Sequence, residues 1–70
     1  MNEIKKITLT NTEDSHNKIW IGQLFDNQDV TTFWGRIGTE LQSKTFKGVG
    51  EKFLITKYNQ KIKKGYIESE

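Results

Sequence analysis

The chain has 70 residues, a net charge of +2 and 33% hydrophobic residues. A chain this short buries only about 60% of its unfolded surface, so we expect residues 1–70 to form a single domain with one modest core. It contains no cysteine and only one histidine, His16, which excludes disulfides and the common cysteine-based zinc sites. We therefore expect neither a metal nor a cofactor.

The segments of the chain are too polar for a membrane protein. No stretch approaches the roughly 18 consecutive apolar residues of a membrane span, and the N-terminal residues lack the apolar run of a signal peptide. The absence of cysteine suits a reducing compartment. We expect a cytoplasmic protein without membrane contact, with a nucleoid-associated or nuclear location as alternatives.

The first half of the chain has the pattern of β-strands. Residues 5–10 alternate between apolar and polar, which is the period of a half-buried strand, and residues 11–17 form a polar loop. Residues 18–25 are rich in β-branched and aromatic side chains, which predicts a strand covered on both faces along part of its length. A hairpin turn at 26–29 leads to further strands, predicted at 30–37 and 42–47.

The second half has the period of a helix. Leu54, Ile55, Tyr58 and Ile62 are separated by lysines and polar residues, which predicts an amphipathic helix over 49–64. Gly48 is the expected N-cap and Gly65 the expected terminator, and Tyr66-Ile67 could return to a sheet edge. The pattern predicts an α+β fold: a small antiparallel sheet with one helix packed on one face.

The sequence contains little that suggests catalysis. His16 lies beside Ser15 and Asp14, but neighbouring residues on a polar loop rarely form a catalytic triad, and Glu13 and Asp14 are better explained as solvated carboxylates. The glycines at 48 and 50 could leave helix amides open to a phosphate, although a helix boundary explains them without a ligand. We expect no enzymatic activity.

Charge is unevenly distributed along the chain. Residues 34–66 carry eight lysine or arginine residues against two glutamates, whereas residues 1–33 carry three lysines against five carboxylates. Such asymmetry can mark a face that binds a polyanion, and it can equally reflect the lysines of a solvated helix.

Four ordered blocks resemble the WGR domain family. The segment Trp34-Gly35-Arg36 resembles the motif that names the family, and residues 37–39 continue it. Upstream, 17–20 resembles the family's "NKFW" strand, and downstream 42–46 resembles its "GQSKT…F" strand, while 61–66 resembles the end of the family's helix and its closing Gly-Tyr. The resemblance implies a compact antiparallel sheet with a helix against one face.

The same resemblance implies a binding role. WGR domains of poly(ADP-ribose) polymerases bind at DNA ends, and there the motif tryptophan lies against the sugar of a terminal nucleotide while basic residues meet phosphates. Carried over, Trp34 is the candidate for stacking, Arg36 for a polar or phosphate contact, and Gly35 for close backbone approach. The expected function is binding of nucleic acid, DNA above all and DNA ends in particular. The candidate contacts are Lys18, Trp34, Gly35, Arg36, Lys44 and Lys47.

Two residues depart from the family pattern. Glu40 and Leu41 stand where the family usually has lysine and glycine, which brings a negative charge near the expected phosphate site. Leu41 could instead contact a protein, so a protein-interaction or scaffold domain coupled to a separate effector is the alternative function. Trp34 could also belong to the core, as we expect of Trp20, and Arg36 could form a salt bridge with Glu40 or Asp29.

Overall fold

The fold consists of one antiparallel sheet and one helix. The computed structural model describes residues 2–15 and 17–69, and it describes Asp14 by its backbone alone. In chain order the elements are β1 Glu3–Asn11, a short 3₁₀ helix Glu13–Ser15, β2 Lys18–Phe25, β3 Val30–Arg36, β4 Gln42–Phe46, α1 Gly50–Lys63 and β5 Ile67–Ser69. The strands are arranged in the order β4-β3-β2-β1-β5. The predicted α+β class is confirmed.

The helix α1 covers one face of the sheet, and the opposite face is more exposed. Alternate side chains of β1, β2 and β3 point toward α1, which packs across β2 and β3. The buried apolar core consists of Ile7, Leu9, Trp20, Leu24, Val30 and Leu54, so the expectation for Trp20 is confirmed. On the opposite face Ile19 and Ile21 are only half-buried. The prediction that β2 is covered on both faces is wrong, because a single layer packs on the described part of the sheet.

Gly22 sets how closely α1 can approach the sheet. A Cβ atom built at this position would lie 2.5 Å from Leu54 Cδ1 and 2.7 Å from a ring carbon of Trp20. These separations are too short for real carbon atoms, so only glycine leaves room for both side chains. Leu54 is fully buried as a result.

The ends of α1 differ slightly from the prediction. The N-cap is Val49 without a side-chain hydrogen bond, rather than Gly48, and the helix begins at Gly50. At the other end Gly65 has a φ of 97° and its N–H donates to the carbonyl of Ile62, while the N–H of Tyr66 donates to the carbonyl of Lys61. These two bonds form a Schellman motif, which stops the helix and directs the chain into β5.

The face of α1 that packs on the sheet is less apolar than predicted. Ile55 and Ile62 are exposed, so their assignment to the packed face is wrong. The buried or partly buried side chains of α1 include Phe53, Leu54, Tyr58 and Lys61, and the steps from Leu54 to Tyr58 and from Tyr58 to Lys61 are four and three residues. Because each residue turns the helix by about 100°, Ile55 lies a quarter of a turn away from Leu54.

Asp29 organises the predicted hairpin turn. It is 5% exposed, and its carboxylate accepts hydrogen bonds from the Gly48 N–H at 2.9 Å and from the Asn27 side-chain amide at 3.1 Å. Lys47 Nζ lies 3.4 Å from the same carboxylate. The hydrogen bond from Gly48 is the largest of the effects that hold the pKa of Asp29 below its usual 3.8. The turn between β2 and β3 is thereby tied to the segment that precedes α1.

Candidate nucleic-acid interface

The residues of the Trp-Gly-Arg segment lie at the end of the sheet where β2 begins and β3 ends. Antiparallel register pairs Lys18 with Arg36 and Trp20 with Trp34. All four side chains share the face that carries α1, because residues two apart on a strand point the same way. Trp34 is half-buried and packs against the core, whereas Lys18 and Arg36 are exposed.

Trp34 lies between the core and a cavity. It packs on the core, and it also lines a cavity of about 550 Å³ that we call the Arg36 cavity. The lining of this cavity includes Lys18, Trp34, Gly35, Arg36, Lys61 and Tyr66. The core fixes the position of the indole, and the cavity gives a ligand access to it.

Gly35 makes room for a neighbouring loop. Its φ of 151° is one that other residues rarely adopt, and a Cβ atom there would lie 3.1 Å from Leu41 Cδ2. Leu41 is half-buried beside Gly35. The packing of Leu41 therefore explains an apolar residue at this position without a protein partner.

The C-terminal part of α1 brings lysines to the cavity. The Schellman motif returns Tyr66 beneath the helix end, and Lys61 Nζ lies 5.3 Å from the centre of the Tyr66 ring. A cation over an aromatic face is attracted by the ring's quadrupole, which holds the ammonium group at the cavity wall. The helix and β2–β3 thus contribute opposite walls of one basic site.

The electrostatics of this site are those of uncompensated positive charge. Partial burial lowers the pKa of the Lys61 ammonium group below its usual 10.5, and the ammonium groups of Lys64, Lys57 and Lys18 lower it further. No described carboxylate lines the Arg36 cavity. An anion bound there would neutralise this charge, so the site favours anionic ligands.

Arg36 is available to a ligand. The two salt bridges among the described residues join Lys5 to Glu51 and Lys47 to Asp29. Neither involves Arg36, so the alternative of a salt bridge to Glu40 or Asp29 does not describe this structure. The Arg36 carbonyl, by contrast, accepts a hydrogen bond from the Thr39 hydroxyl at 2.7 Å, which holds the following turn.

The predicted contacts Lys44 and Lys47 lie apart from the Arg36 cavity. Lys44 lies on the edge strand β4, where it pairs with Thr32 of β3. Its Nζ lies 5.1 Å from the centre of the Phe46 ring. Lys47 follows β4 at the opposite end of β3 from Arg36 and meets Asp29. The structure brings together Lys18, Trp34, Gly35 and Arg36, but not these two lysines.

A second cavity lies on the other side of Trp34. Its volume is about 300 Å³, and its lining includes Thr32, Trp34, Phe46, Lys57, Gln60 and Lys64. We call it the Gln60 cavity. Lys61 lines both cavities, so the two adjoin along Trp34 and the helix.

The helix residues of these cavities are not among the contacts predicted from the sequence. Lys57, Lys61 and Lys64 are spaced by four and three residues, which places them on one face of α1. The spacing is present in the sequence, but lysines between apolar residues of a helix are also typical of a solvated face, so spacing alone does not indicate a cavity.

The two glycine amides at the start of α1 are not open to an anion. The Gly48 N–H donates to Asp29, and the Gly50 N–H donates to the Gln28 carbonyl at 2.9 Å. Both glycine amides are therefore already used inside the protein, as the helix-boundary explanation implies.

The candidate catalytic residues of the loop before β2 are exposed or lie outside the described residues. His16 and the side chain of Asp14 lie outside the described residues, and Glu13 is exposed. No group of three potential ligand residues within the described ranges could hold a metal ion. No helix in residues 2–15 and 17–69 has the length and apolar character to cross a membrane.

Within the described residues, a five-stranded antiparallel sheet with one α-helix and a basic, aromatic-lined cavity define a small α+β domain. The chain belongs to the WGR domain family, whose sequence model matches residues 5–70. Membership of this family is consistent with a nucleic-acid-binding module. Domains of this family are generally non-catalytic on their own. No curated protein and no solved structure matches the chain.

Proposed function

We propose that the protein binds nucleic acid, DNA in preference, through the Arg36 cavity. The observation that carries the proposal is a half-buried indole, Trp34, in a cavity that also presents Lys18, Arg36 and Lys61 and no described carboxylate. A positively charged groove beside an aromatic face is the usual arrangement for binding a phosphate backbone and a base or sugar together.

Each side chain has a distinct task. The Arg36 guanidinium donates two parallel hydrogen bonds to phosphate oxygens, and Lys18 and Lys61 contribute charge. The Trp34 indole presents a flat face to a sugar or base, and stacking on a base is worth about 1–3 kcal/mol. Gly35 keeps the backbone between the two motif side chains free of a Cβ atom.

The end of a strand is the part of DNA that suits this site best. Trp34 lines an open cavity together with Arg36, and a terminal nucleotide can enter such a cavity more readily than the side of a continuous duplex can. The resemblance to the polymerase domains, in which the same tryptophan meets a terminal sugar, supports the same preference.

Lys44 and Lys47 are outer contacts in this proposal. Lys44, on the exposed edge strand, can meet the backbone of a longer strand beyond the cavity. Lys47 contributes less, because Asp29 already neutralises part of its charge. We therefore expect alanine substitutions to weaken binding in the order Arg36, then Lys44, then Lys47.

Fluorescence anisotropy tests the proposal. Labelled duplexes that are blunt, 5′-phosphorylated or closed by hairpins at both ends are compared at about 50 mM and about 200 mM salt. With about three phosphates neutralised, affinity should fall some tens-fold between these salt concentrations. Open duplexes should bind more tightly than the closed one.

Variants connect the binding to the cavity. Trp34→Leu keeps apolar volume against the core but removes the flat face, and we expect about a ten-fold loss of affinity. Arg36→Ala should lose a comparable amount and reduce the salt dependence. Lys52→Ala, which removes an exposed lysine of α1 that lines neither cavity, is the matched control for charge.

Two outcomes would contradict the proposal. One is the absence of binding to every duplex at low salt by protein that circular dichroism shows to be folded. The other is binding that Trp34→Leu and Arg36→Ala leave unchanged. The first outcome would favour the protein-interaction alternative.

A further inference from the structure

The Gln60 cavity has no task in the function proposed above. It adjoins the Arg36 cavity along Trp34, yet Thr32, Phe46, Lys57 and Gln60 belong to it alone. Its volume of about 300 Å³ is at the lower limit of small-molecule pockets, about 300–1,000 Å³. A pocket of this size fits one small flat group rather than a segment of duplex.

The lining combines three kinds of chemistry. Trp34 and Phe46 are aromatic, Lys57 and Lys64 are cationic, and Gln60 is the one amide among the described residues around it. An amide can donate and accept hydrogen bonds at once, which is how glutamine recognises the edge of a base. No described carboxylate lines this cavity either.

The wall opposite α1 is held in place by packing. The Phe46 ring lies 4.6 Å from the Phe53 ring, measured between centres, and Lys44 Nζ lies over it at 5.1 Å. Gln60, in contrast, is exposed and has no side-chain hydrogen bond within the described residues. The cavity therefore has a fixed aromatic wall and, in Gln60, a side-chain amide that is free both to donate and to accept hydrogen bonds.

We propose that the Gln60 cavity holds one unpaired nucleotide, next to a strand end in the Arg36 cavity. The base stacks against the aromatic wall, Gln60 hydrogen-bonds its edge, and Lys57 and Lys64 flank its phosphate. This inference rests on the proposed function, because it uses the same bound strand. It makes the preferred ligand a duplex with a short single-stranded overhang.

The test uses three hairpin duplexes, each with one open end. The first is blunt, the second has an overhang of two nucleotides, and the third has two abasic nucleotides in the overhang. The second and third carry the same number of phosphates, so their comparison isolates the base. We expect the natural overhang to bind at least about five-fold more tightly than the abasic one, as stacking of one base implies. Both 5′ and 3′ overhangs are measured.

Two pairs of variants locate the effect. Gln60→Ala should reduce the preference for the natural over the abasic overhang about three-fold and leave binding to the blunt duplex unchanged. Asn59→Ala removes the neighbouring exposed amide, which lines neither cavity, and should change nothing. Lys57→Ala should weaken binding to both overhangs, whereas Lys52→Ala should not.

The outcomes separate this inference from the proposed function. Tight blunt-end binding with equal affinity for natural and abasic overhangs overturns the inference and leaves the proposed function intact. Failure to bind any hairpin overturns both. Adenosine monophosphate is added as a competitor, and displacement of the natural overhang at micromolar concentration would mean that the cavity serves a free nucleotide instead.

Discussion

Lysines near the two ends of α1 have opposite electrostatic surroundings. At its start, Lys47 meets the buried carboxylate of Asp29, and Lys5 of β1 meets Glu51 at 3.1 Å. At its end, Lys61 and its neighbours lie together, and no described carboxylate lines the cavities between them. The net charge of +2 conceals this difference, because the excess positive charge is concentrated at one end of the helix.

The difference separates residues that stabilise the fold from residues available for binding. Paired charges at the start of α1 connect the helix, the hairpin turn and β1 into one unit. Clustered cations at the other end repel one another in the free protein, and an anionic ligand would relieve that repulsion. The following substitutions test this separation, beginning with the largest expected effect.

Asp29→Ala should produce the largest loss of stability. It removes the acceptor for the Gly48 N–H and leaves Lys47 without its partner. We expect the melting temperature to fall by more than about 5 °C in thermal denaturation, while the folded variant binds DNA at least as tightly as before, because Asp29 no longer neutralises Lys47. Asp26→Ala, in the same turn but exposed, is the control. A variant as stable as wild type would show that the start of the helix does not depend on this carboxylate.

Stability should also fall at acid pH because of Asp29. Its folded pKa lies below the usual 3.8, so the unfolded chain binds more protons as the pH drops past that value. The stabilisation is complete well above pH 3.8 and is lost as the pH falls through the folded pKa. Urea denaturation between about pH 5 and about pH 2 should show a shallower pH dependence for Asp29→Asn. An identical dependence in both proteins would assign the acid sensitivity to other groups.

Lys61→Met should weaken binding without destabilising the fold. Methionine keeps the apolar stem of the side chain but removes a charge that is partly buried among other cations. We expect affinity for DNA to fall about three- to ten-fold at low salt, and the melting temperature to rise by no more than about 3 °C. Lys63→Met, on the exposed side of the same turn, should change neither quantity. Equal effects from the two variants would mean that only net charge matters.

Glu51→Gln should have the smallest effect. The pair it forms with Lys5 is exposed, with side-chain exposures of 58% and 40%, and such pairs contribute about 0–1 kcal/mol. Denaturant titration should show a loss within that range, and DNA affinity should not change. A larger loss would mean that the pair fixes β1 against the helix more firmly than its exposure indicates.

Local patterns in the sequence determine most of this fold. The alternation of apolar and polar residues in 5–10 and the turn at 26–29 can be recognised in the sequence, because both depend on residues that are close together in the chain. The termination of the helix at Gly65 is equally local. The predicted N-cap at Gly48 was wrong by one residue, and the Gly48 N–H donates to Asp29, which lies 19 positions away. A partner so distant in sequence leaves no local signal.

The site was less predictable than the fold. The motif residues were found because they are consecutive on one strand, and register then adds Lys18 opposite Arg36. The contribution of Lys61 and Tyr66 depends on how α1 crosses the sheet, which Gly22 and Leu54 determine through packing. Lys44 was predicted as a contact because it lies on the next strand, and Lys47 because of its charge. Neither strand order nor charge gives the register, which places Lys44 opposite Thr32 rather than opposite Trp34.

The different surroundings of the two tryptophans give the protein a built-in optical probe. Trp20 and Trp34 lie opposite each other on paired strands, but Trp20 is 3% exposed and borders the Gln60 cavity alone, whereas Trp34 is half-buried and borders both cavities. A dissolved quencher such as acrylamide should therefore reduce the emission of Trp34 and spare that of Trp20. In a Trp20→Phe variant the remaining tryptophan emission comes from Trp34, the proposed ligand contact. Ligand occupancy can then be followed without any attached dye.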